Sequence, residues 1–197
     1  MKIINLTENS KLYTSNVFLA LGTWNTVEDV NTLIDAGNDD SVIGKLENLH
    51  TGLGKKKIDQ IIITHSHSDH TAALAALIEA YNPRVYAFNS HLKGVTDIIR
   101  DGDILRIGNK YFEVFHITAH SYDSICLLCE NEGVLFSGDT SFPIEFENQK
   151  LSDDNAEVLE RLNSKIIRTV YPGHGTLHDF NKKQFQLVKD KVSKSNI

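Results

Sequence analysis

Three histidines and an aspartate stand within six positions of the sequence THSHSDH, which begins at Thr64. Side chains two residues apart in an extended backbone face the same side, so His65 and His67 can direct their imidazoles at one point. Asp69 and His70 come after a turn and could serve a second point nearby. So dense a pattern of metal-ligand residue types carries a low risk of arising by chance. We therefore predict that this stretch binds metal.

The elements on either side predict that the cluster lies in a turn between a strand and a helix. The apolar, β-branched run at residues 61–63 favours a buried strand, and the Ala- and Leu-rich segment at residues 71–81 favours a helix. Ser68 or Asp69 could cap that helix, a role that would not exclude metal binding by Asp69. The hydroxyls of Ser66 and Ser68 alternate with the candidate ligands, and we interpret them as spacers.

Three more candidate ligands follow apolar runs that predict strands: His120, Asp139 and His174. Functional groups gather at strand ends in mixed α/β folds, so we expect these side chains to join the cluster. Gly138 permits a close backbone approach beside Asp139. Asp35 ends another predicted strand, where it is either a turn residue or a group that orients a ligand histidine. Five histidines and two carboxylates suit borderline metals such as zinc, iron or manganese.

Apolar runs and turn signals along the rest of the chain predict a mixed α/β fold. The predicted strands lie at 2–6, 11–21, 32–35, 84–88, 104–107, 111–117, 125–130, 134–136 and 166–171, and the predicted helices at 41–50, 153–164 and 179–193. The first two strands have the mixed polar and apolar character of an antiparallel hairpin. Gly108 and Asn109 mark the turn of another hairpin.

Length, composition and charge bound the class of protein. The 197 residues, 41% of them hydrophobic and 23% charged, can bury a sizeable core, and we interpret residues 1–197 as one domain. Because the net charge is −6 and the acidic residues are spread along the chain, we expect no nucleic-acid partner. No apolar stretch has the length of a membrane span, and the first residues lack the apolar core of a signal peptide. We therefore expect a cytoplasmic protein with no membrane partner.

Cys126 and Cys129 are the two cysteines of the chain. Their spacing superficially resembles a redox or zinc pair. The segment that holds them predicts a strand, however, and residues three apart in a strand face opposite sides. We therefore expect two unrelated, reduced thiols.

The ordered motifs of this sequence resemble those of the metallo-β-lactamase superfamily. They are THSHSDH, the later His120, SGDT around Asp139 and PGHG around His174, and with the LIDAG stretch they extend over residues 16–176. The resemblance implies an α/β fold of the four-layer αββα sandwich type. In that fold, two mixed, largely antiparallel sheets lie face to face between outer helices.

The resemblance also implies a dinuclear metal centre. Its ligands would be His65, His67 and His120 for the first ion, Asp69, His70 and His174 for the second, and Asp139 as the bridge. Two divalent ions, zinc with iron or manganese as alternatives, would activate a water and polarise a carbonyl. Asp69 or Asp139 could relay a proton. The implied activity is hydrolysis of a small thioester or ester-like molecule.

At some positions this sequence differs from particular branches of the superfamily, and these differences narrow the range of expected substrates. The common β-lactamases carry cysteine where Asp139 stands, and homoserine-lactone hydrolases carry tyrosine where Phe142 stands. The SGDT form resembles the hydroxyacylglutathione hydrolases, the glyoxalase II group, whose full-length members add a helical domain after the last histidine. Only residues 175–197 follow His174, so the chain resembles the short, single-domain members of that group. Around His120, ITAHS at residues 117–121 replaces the usual Thr-Pro-Gly-His-Thr, which changes the pocket wall.

Two other activities stay open. Persulfide-dioxygenase-like oxidoreductases bind a single iron through the positions of His65, His120 and Asp139. We rank this activity lower because the ligands for a second ion are retained. A phosphodiesterase or nuclease of the same superfamily ranks lower still because of the acidic charge. Three further side chains either line the pocket or pack around it: His116, Tyr122 and Phe142.

Overall fold

The computed structural model describes residues 1–142 and 153–180, with the side chains of 153–156 left out, and in these ranges it has twelve strands and four helices. The strands are β1 (Lys2–Asn5), β2 (Phe18–Leu21), β3 (Thr32–Ile34), β4 (Gln60–Ile62), β5 (Arg84–Ala87), β6 (Asp97–Ile98), β7 (Ile104–Ile107), β8 (Lys110–His116), β9 (Ile125–Cys129), β10 (Val134–Gly138), β11 (Thr169–Pro172) and β12 (His178–Asp179). The helices are α1 (Ser41–Glu47), α2 (Ser68–Thr71), α3 (Leu74–Tyr81) and α4 (Asp153–Asn163). No described helix combines the length and the apolar character needed to cross a membrane.

The strands form two six-stranded sheets. The first has the order β1-β2-β3-β4-β5-β6, with antiparallel pairing from β1 to β3 and parallel pairing from β3 to β6. The second has the order β12-β11-β10-β9-β8-β7, in which only the β10–β11 pair is parallel. Parallel neighbours end at the same edge of a sheet, so the residues that follow β3 and β4, and those that follow β10 and β11, come together.

Three apolar cores separate four layers. Along β2, Leu19 and Leu21 face the core beneath α1 and α3, whereas Phe18 and Ala20 face the core between the two sheets. On the far side of the second sheet, Leu162 of α4 is fully buried in the third core. Strands covered on both faces read as continuous apolar runs, as β2 and β9 do. The αββα sandwich implied by the sequence is confirmed.

Several predicted boundaries were wrong, and long-range hydrogen bonds explain two of them. The predicted strand at residues 11–21 begins only at Phe18, because Asn16 donates its backbone N–H to the Gly173 carbonyl, 2.6 Å away in another segment. The predicted helix at 71–81 is divided into α2 and α3, because the Ala73 N–H donates to the Gly37 carbonyl instead of continuing the helix.

The predicted terminal helix at 179–193 differs from the structure where the two can be compared. His178 and Asp179 form strand β12, which pairs with β11. From residue 181 onward the prediction lies outside the described residues.

The two cysteines are free and buried, as expected. Cys126 lies in the core beneath α4 and Cys129 in the core between the sheets, so the thiols face opposite sides of β9. Burial raises the pKa of the Cys126 thiol to about 12, which keeps it protonated.

Changing both Cys126 and Cys129 to alanine is expected to leave the metal content of the purified protein unaltered. The reason is that both sulfurs are enclosed in apolar cores and neither joins the cluster of candidate ligands. Elemental analysis of the variant beside the unsubstituted protein measures this. A lower metal content in a folded variant would contradict the expectation.

Candidate metal centre

Strand ends bring the candidate ligands to one place. The THSHSDH stretch follows β4 after the single residue Ile63, and His120 lies in the connection between β8 and β9. Asp139 follows β10 and His174 follows β11, and these two strands are parallel neighbours. The structure therefore unites all seven side chains that the sequence singled out.

Three histidines form the first group of the centre. His67 Nδ1 lies 3.0 Å from His65 Nε2 and 3.0 Å from His120 Nε2. His65 is buried, whereas His67 and His120 reach the surface. Three ring nitrogens that converge at this distance can bind a cation. The site that they form is open to solvent on the side of His67 and His120.

A second group lies next to the first. His174 Nε2 is 2.9 Å from Asp69 Oδ2, and His70 Nε2 is 3.9 Å from the same oxygen. These ligand atoms all lie within 4.8 Å of one another. One carboxylate and two imidazoles are donors that suit a divalent metal.

Asp139 stands between the two groups. Its Oδ2 lies 3.8 Å from His65 Nε2 and 3.5 Å from His120 Nε2 in the first group, and 3.6 Å from His174 Nε2 in the second. Its Oδ1 lies 3.1 Å from His70 Nε2. This one carboxylate can therefore reach both groups.

Several buried ligand atoms of the centre lack a normal hydrogen bond, as expected of atoms that bind a metal ion. His70 Nε2, His174 Nε2 and Asp139 Oδ1 are buried and make no hydrogen bond of normal geometry, and the polar atoms that approach them belong to other candidate ligands, with His70 Nε2 3.1 Å from Asp139 Oδ1 and His174 Nε2 2.9 Å from Asp69 Oδ2. Buried polar atoms without a partner are rare because they are costly. All three atoms belong to the candidate ligands, and coordination of a cation would satisfy each of them.

The pKa values of the histidines are shifted in opposite directions, down for His65 and His120 and up for His70. Burial, reinforced by nearby His70, lowers the pKa of His65 to about 4, so its ring is neutral and offers a lone pair. Burial likewise lowers the pKa of His120. For His70, burial acts in the same direction, but the carboxylates of Asp35 and Asp139 outweigh it and raise the pKa to about 10. Burial would raise the pKa of Asp139, but its close contact with His70 and the other imidazoles lowers it to about 2.

Asp35 orients His70 from behind, as one of the two sequence-based interpretations expected. Its Oδ2 lies 2.8 Å from His70 Nδ1, and its Oδ1 accepts the Thr64 backbone N–H at 2.8 Å. Asp35 also turns the chain after β3, with a φ of +60°, so both interpretations hold. A carboxylate on Nδ1 keeps that nitrogen protonated, so a bound metal would displace the proton of Nε2.

Changing Asp35 to asparagine is expected to weaken binding at the second group by about 10- to 100-fold, the usual cost of removing such an outer partner. Asparagine tolerates the left-handed backbone, so the fold should persist. Zinc titration of the metal-free protein measures the affinity. Asp59→Asn is the matched control, because Asp59 accepts the Asn31 N–H at 2.8 Å at the opposite end of β4. Equal affinities in the two variants would contradict the assigned role.

One buried carboxylate in this region was missed by the sequence analysis. Asp123 Oδ2 accepts the backbone N–H of Ser66 at 3.0 Å and the Ser66 hydroxyl at 2.5 Å. Its Oδ1 accepts the Ser121 hydroxyl at 2.7 Å. Burial would raise the pKa of Asp123, but these hydrogen bonds outweigh burial and lower it. The interpretation of Ser66 as a spacer was therefore wrong, and no local spacing could link residues 57 positions apart.

An exposed tyrosine beside the centre was also missed. The ring of Tyr13 stacks on His174 with 5.3 Å between ring centroids and 17° between planes. It is nevertheless 76% exposed. The loop that carries it is tied down by the Ser15 N–H, which donates to the Asp69 carbonyl at 3.1 Å. Tyr13 therefore presents an aromatic face next to the second group.

The three side chains predicted to line the pocket or pack around it take different places. Tyr122 is 64% exposed, and its carbonyl accepts a hydrogen bond from His116 Nε2 at 2.7 Å. The ring of His116 stacks on Phe88, with centroids 3.8 Å apart. Phe142 is buried in the core beneath α4, so it packs behind the site.

Comparisons with known proteins agree with this geometry. A family model described as the metallo-beta-lactamase superfamily matches residues 14–186. Two curated hydroxyacylglutathione hydrolases are similar to part of the chain. The one from Chromohalobacter salexigens is 35% identical over 116 residues, which are 58% of this chain and 44% of that enzyme. The one from Francisella tularensis subsp. tularensis is 39% identical over 90 residues, which are 45% of this chain and 36% of that enzyme.

The fold has relatives among solved structures. The crystal structure of ETHE1 from Myxococcus xanthus superposes with a TM-score of 0.66 at 21% identity, covering 98% of this chain and 91% of that one. At this identity the likeness concerns the fold alone. The matches to the two curated enzymes span less than half of either enzyme's length. The family match covers most of the sequence, and the chain belongs to the metallo-β-lactamase superfamily.

Proposed function

We propose that this protein is a hydrolase that uses two divalent metal ions to cleave a small thioester or ester-like substrate. The observation that carries the proposal is the position of Asp139, whose carboxylate lies within 3.1 to 3.8 Å of ring nitrogens from both ligand groups. Similarity to two hydroxyacylglutathione hydrolases supports thioester cleavage. The net charge of −6 supports a small-molecule substrate over a nucleic acid.

The residues that would hold the ions follow from the two groups. They are His65, His67 and His120 for the first ion, Asp69, His70 and His174 for the second, and Asp139 shared. Nitrogen and carboxylate donors favour zinc, with iron or manganese as alternatives. When bound, such a pair lowers the pKa of a water and polarises the carbonyl of the substrate.

The protein's own residues then orient the substrate and move protons. Asp139 is ionised because its pKa is about 2, so its carboxylate can orient the attacking water. Asp69 lies beside His174 and is partly exposed, so it can accept a proton from that water. As the water oxygen bonds to the acyl carbon and the carbon–sulfur bond breaks, the proton passes from Asp69 to the departing thiolate. Tyr13 stacks on His174 and so places an aromatic ring beside the centre on that side.

Nucleophilic catalysis by cysteine is excluded by burial. The sulfurs of Cys126 and Cys129 are enclosed in two different apolar cores. The high pKa of Cys126, about 12, keeps that thiol protonated. Attack by water is therefore the step that the centre supports.

Elemental analysis of protein purified without added metal tests the proposal, together with hydrolysis assays on an acyl-glutathione thioester and a glutathione-free thioester. We expect close to two metal ions per chain and hydrolysis of at least one thioester. A single iron per chain, with oxygen consumption on a persulfide and no hydrolysis, would overturn the proposal and favour the dioxygenase alternative. Metal-free protein that hydrolyses the thioesters equally well would also overturn it.

A further inference from the structure

We infer that Asp123 is a positioning residue that holds the first ligand group together by clamping two separate loops. This inference rests on the proposed dinuclear function. The first loop carries His65 and His67, and the second carries His120. Asp123 touches none of these imidazoles in the described contacts, so it acts through the serines next to them.

Asp123 accepts hydrogen bonds from each loop at a serine next to a candidate ligand. Ser66 lies between His65 and His67, and it gives Asp123 both its N–H and its hydroxyl. Ser121 directly follows His120, and its hydroxyl donates to the other oxygen of Asp123. A shift of either serine would move the neighbouring imidazole. The carboxylate therefore fixes the separation between imidazoles that come from loops far apart in sequence.

Burial makes the clamp strong. Asp123 is only 3% exposed, so its hydrogen bonds have little competition from water. Charge-assisted hydrogen bonds are about twice as strong as neutral ones. Asn89 adds a further link, because its Nδ2 donates to the Ser66 hydroxyl at 3.1 Å. Removing the carboxylate would leave the Ser66 N–H without its partner and free the loop that bears His67.

The second ligand group has a different support. His70 is held by Asp35 at 2.8 Å, and His174 follows β11, whose strand pairing does not involve Asp123. Asp35 therefore supports a ligand of the second group directly and reaches the first group only through the Thr64 N–H beside His65, whereas Asp123 bonds only to neighbours of first-group ligands. Loss of Asp123 should weaken the first group and spare the second.

The fold should survive loss of the clamp. The Ile125 N–H donates to the Thr64 carbonyl at 2.9 Å, which keeps the two segments adjacent without Asp123. The turn after His120 keeps its own hydrogen bond, from the Ser124 N–H to the Ser121 carbonyl at 3.2 Å. Substitution at Asp123 can therefore be studied in a folded chain.

Zinc titration of the metal-free, full chain tests this inference in two backgrounds. His174→Ala leaves only the first group intact, and His120→Ala leaves only the second. We expect Asp123→Ala to lower zinc affinity about 10- to 100-fold in the His174→Ala background. The same change should leave the affinity in the His120→Ala background unaltered. Competition with a chromophoric chelator measures both affinities.

Two further variants separate positioning from general damage. Asp123→Asn can keep an oxygen on Ser66 and turn its amide toward the Ser121 hydroxyl, so it should recover most of the affinity lost in Asp123→Ala. Asp29→Ala removes a comparably buried carboxylate at the opposite end of β3, where Asp29 accepts the Thr26 N–H at 2.8 Å, and should leave both affinities unchanged.

Equal losses in both backgrounds, or no loss in either, would overturn the inference. The outcome is also distinct from failure of the proposed function. If the unsubstituted protein binds two ions but cleaves no thioester, the function fails while a loss confined to the first group still supports the clamp. If the unsubstituted protein binds no metal, both fail.

Discussion

Replacing Asp139 with alanine is expected to abolish hydrolysis and to lower the metal content while the fold persists. Asp139 Oδ2 lies 3.5 Å from His120 Nε2 and 3.6 Å from His174 Nε2, so its loss removes the one carboxylate among the described residues that reaches both ligand groups. Outer partners of metal ligands typically contribute about 10- to 100-fold to affinity or activity. A shared ligand should cost more than that. The metal content should fall from about two ions per chain to one or fewer.

Elemental analysis and initial hydrolysis rates measure these two effects on the same preparation. Asp103→Ala is the control, because Asp103 accepts the exposed Arg100 N–H at 2.7 Å and lies outside the centre. Asp139 follows the last residue of β10 and takes no part in its pairing, so circular dichroism should show a native fold in the variant. An active, fully metallated Asp139→Ala protein would refute the assignment of this residue as the bridge.

The positions of the candidate ligands were predictable because each follows an apolar strand. A buried run such as Ile61 to Ile63 signals a strand without help from distant residues, and a histidine or aspartate at its end must lie at the sheet edge. Parallel pairing of β10 and β11 then sets Asp139 beside His174. Local pattern and general topology together were therefore enough to gather the seven side chains.

The residues that surround and position the candidate ligands were harder to predict from the sequence, because their roles depend on contacts between distant segments. In the sequence, nothing local distinguishes Asp123 from any other acidic residue. Its role becomes visible only when the fold brings it next to Ser66. Tyr13 lies in a segment with the alternation of a strand, yet Ser15 and Asn16 bond to the loops that carry Asp69 and Gly173. Such long-range bonds leave no periodic trace in the sequence.

The second large effect is expected from a substitution at Gly173, because the centre has no space for a side chain at this position. A Cβ at this position would lie 2.1 Å from Asp139 Oδ1 and 2.9 Å from His70 Cε1. Gly173 also approaches Gly138 closely, since its N–H donates to the Gly138 carbonyl at 2.7 Å. Changing Gly173 to alanine should therefore displace Asp139, remove most of the metal and abolish hydrolysis. Overpacking of this kind also lowers the free energy of unfolding by about 1 to 3 kcal/mol.

Gly44→Ala is the matched control for the added methyl group. Gly44 lies in α1, and a Cβ there would meet no atom within 4 Å apart from its neighbours in the helix backbone. Alanine in a helix is favoured over glycine by up to about 1 kcal/mol, so this variant should be at least as stable as the original chain and bind metal equally. Chemical denaturation and elemental analysis compare the two variants. If Gly173→Ala retained two ions and full activity, the carboxylate of Asp139 would have to reach the metals from another position, and its bridging geometry would be wrong. If it lost metal while Gly44→Ala did not, the loss would follow from the crowding of Asp139 and His70, which connects the paired glycines of SGDT and PGHG to the chemistry of the centre.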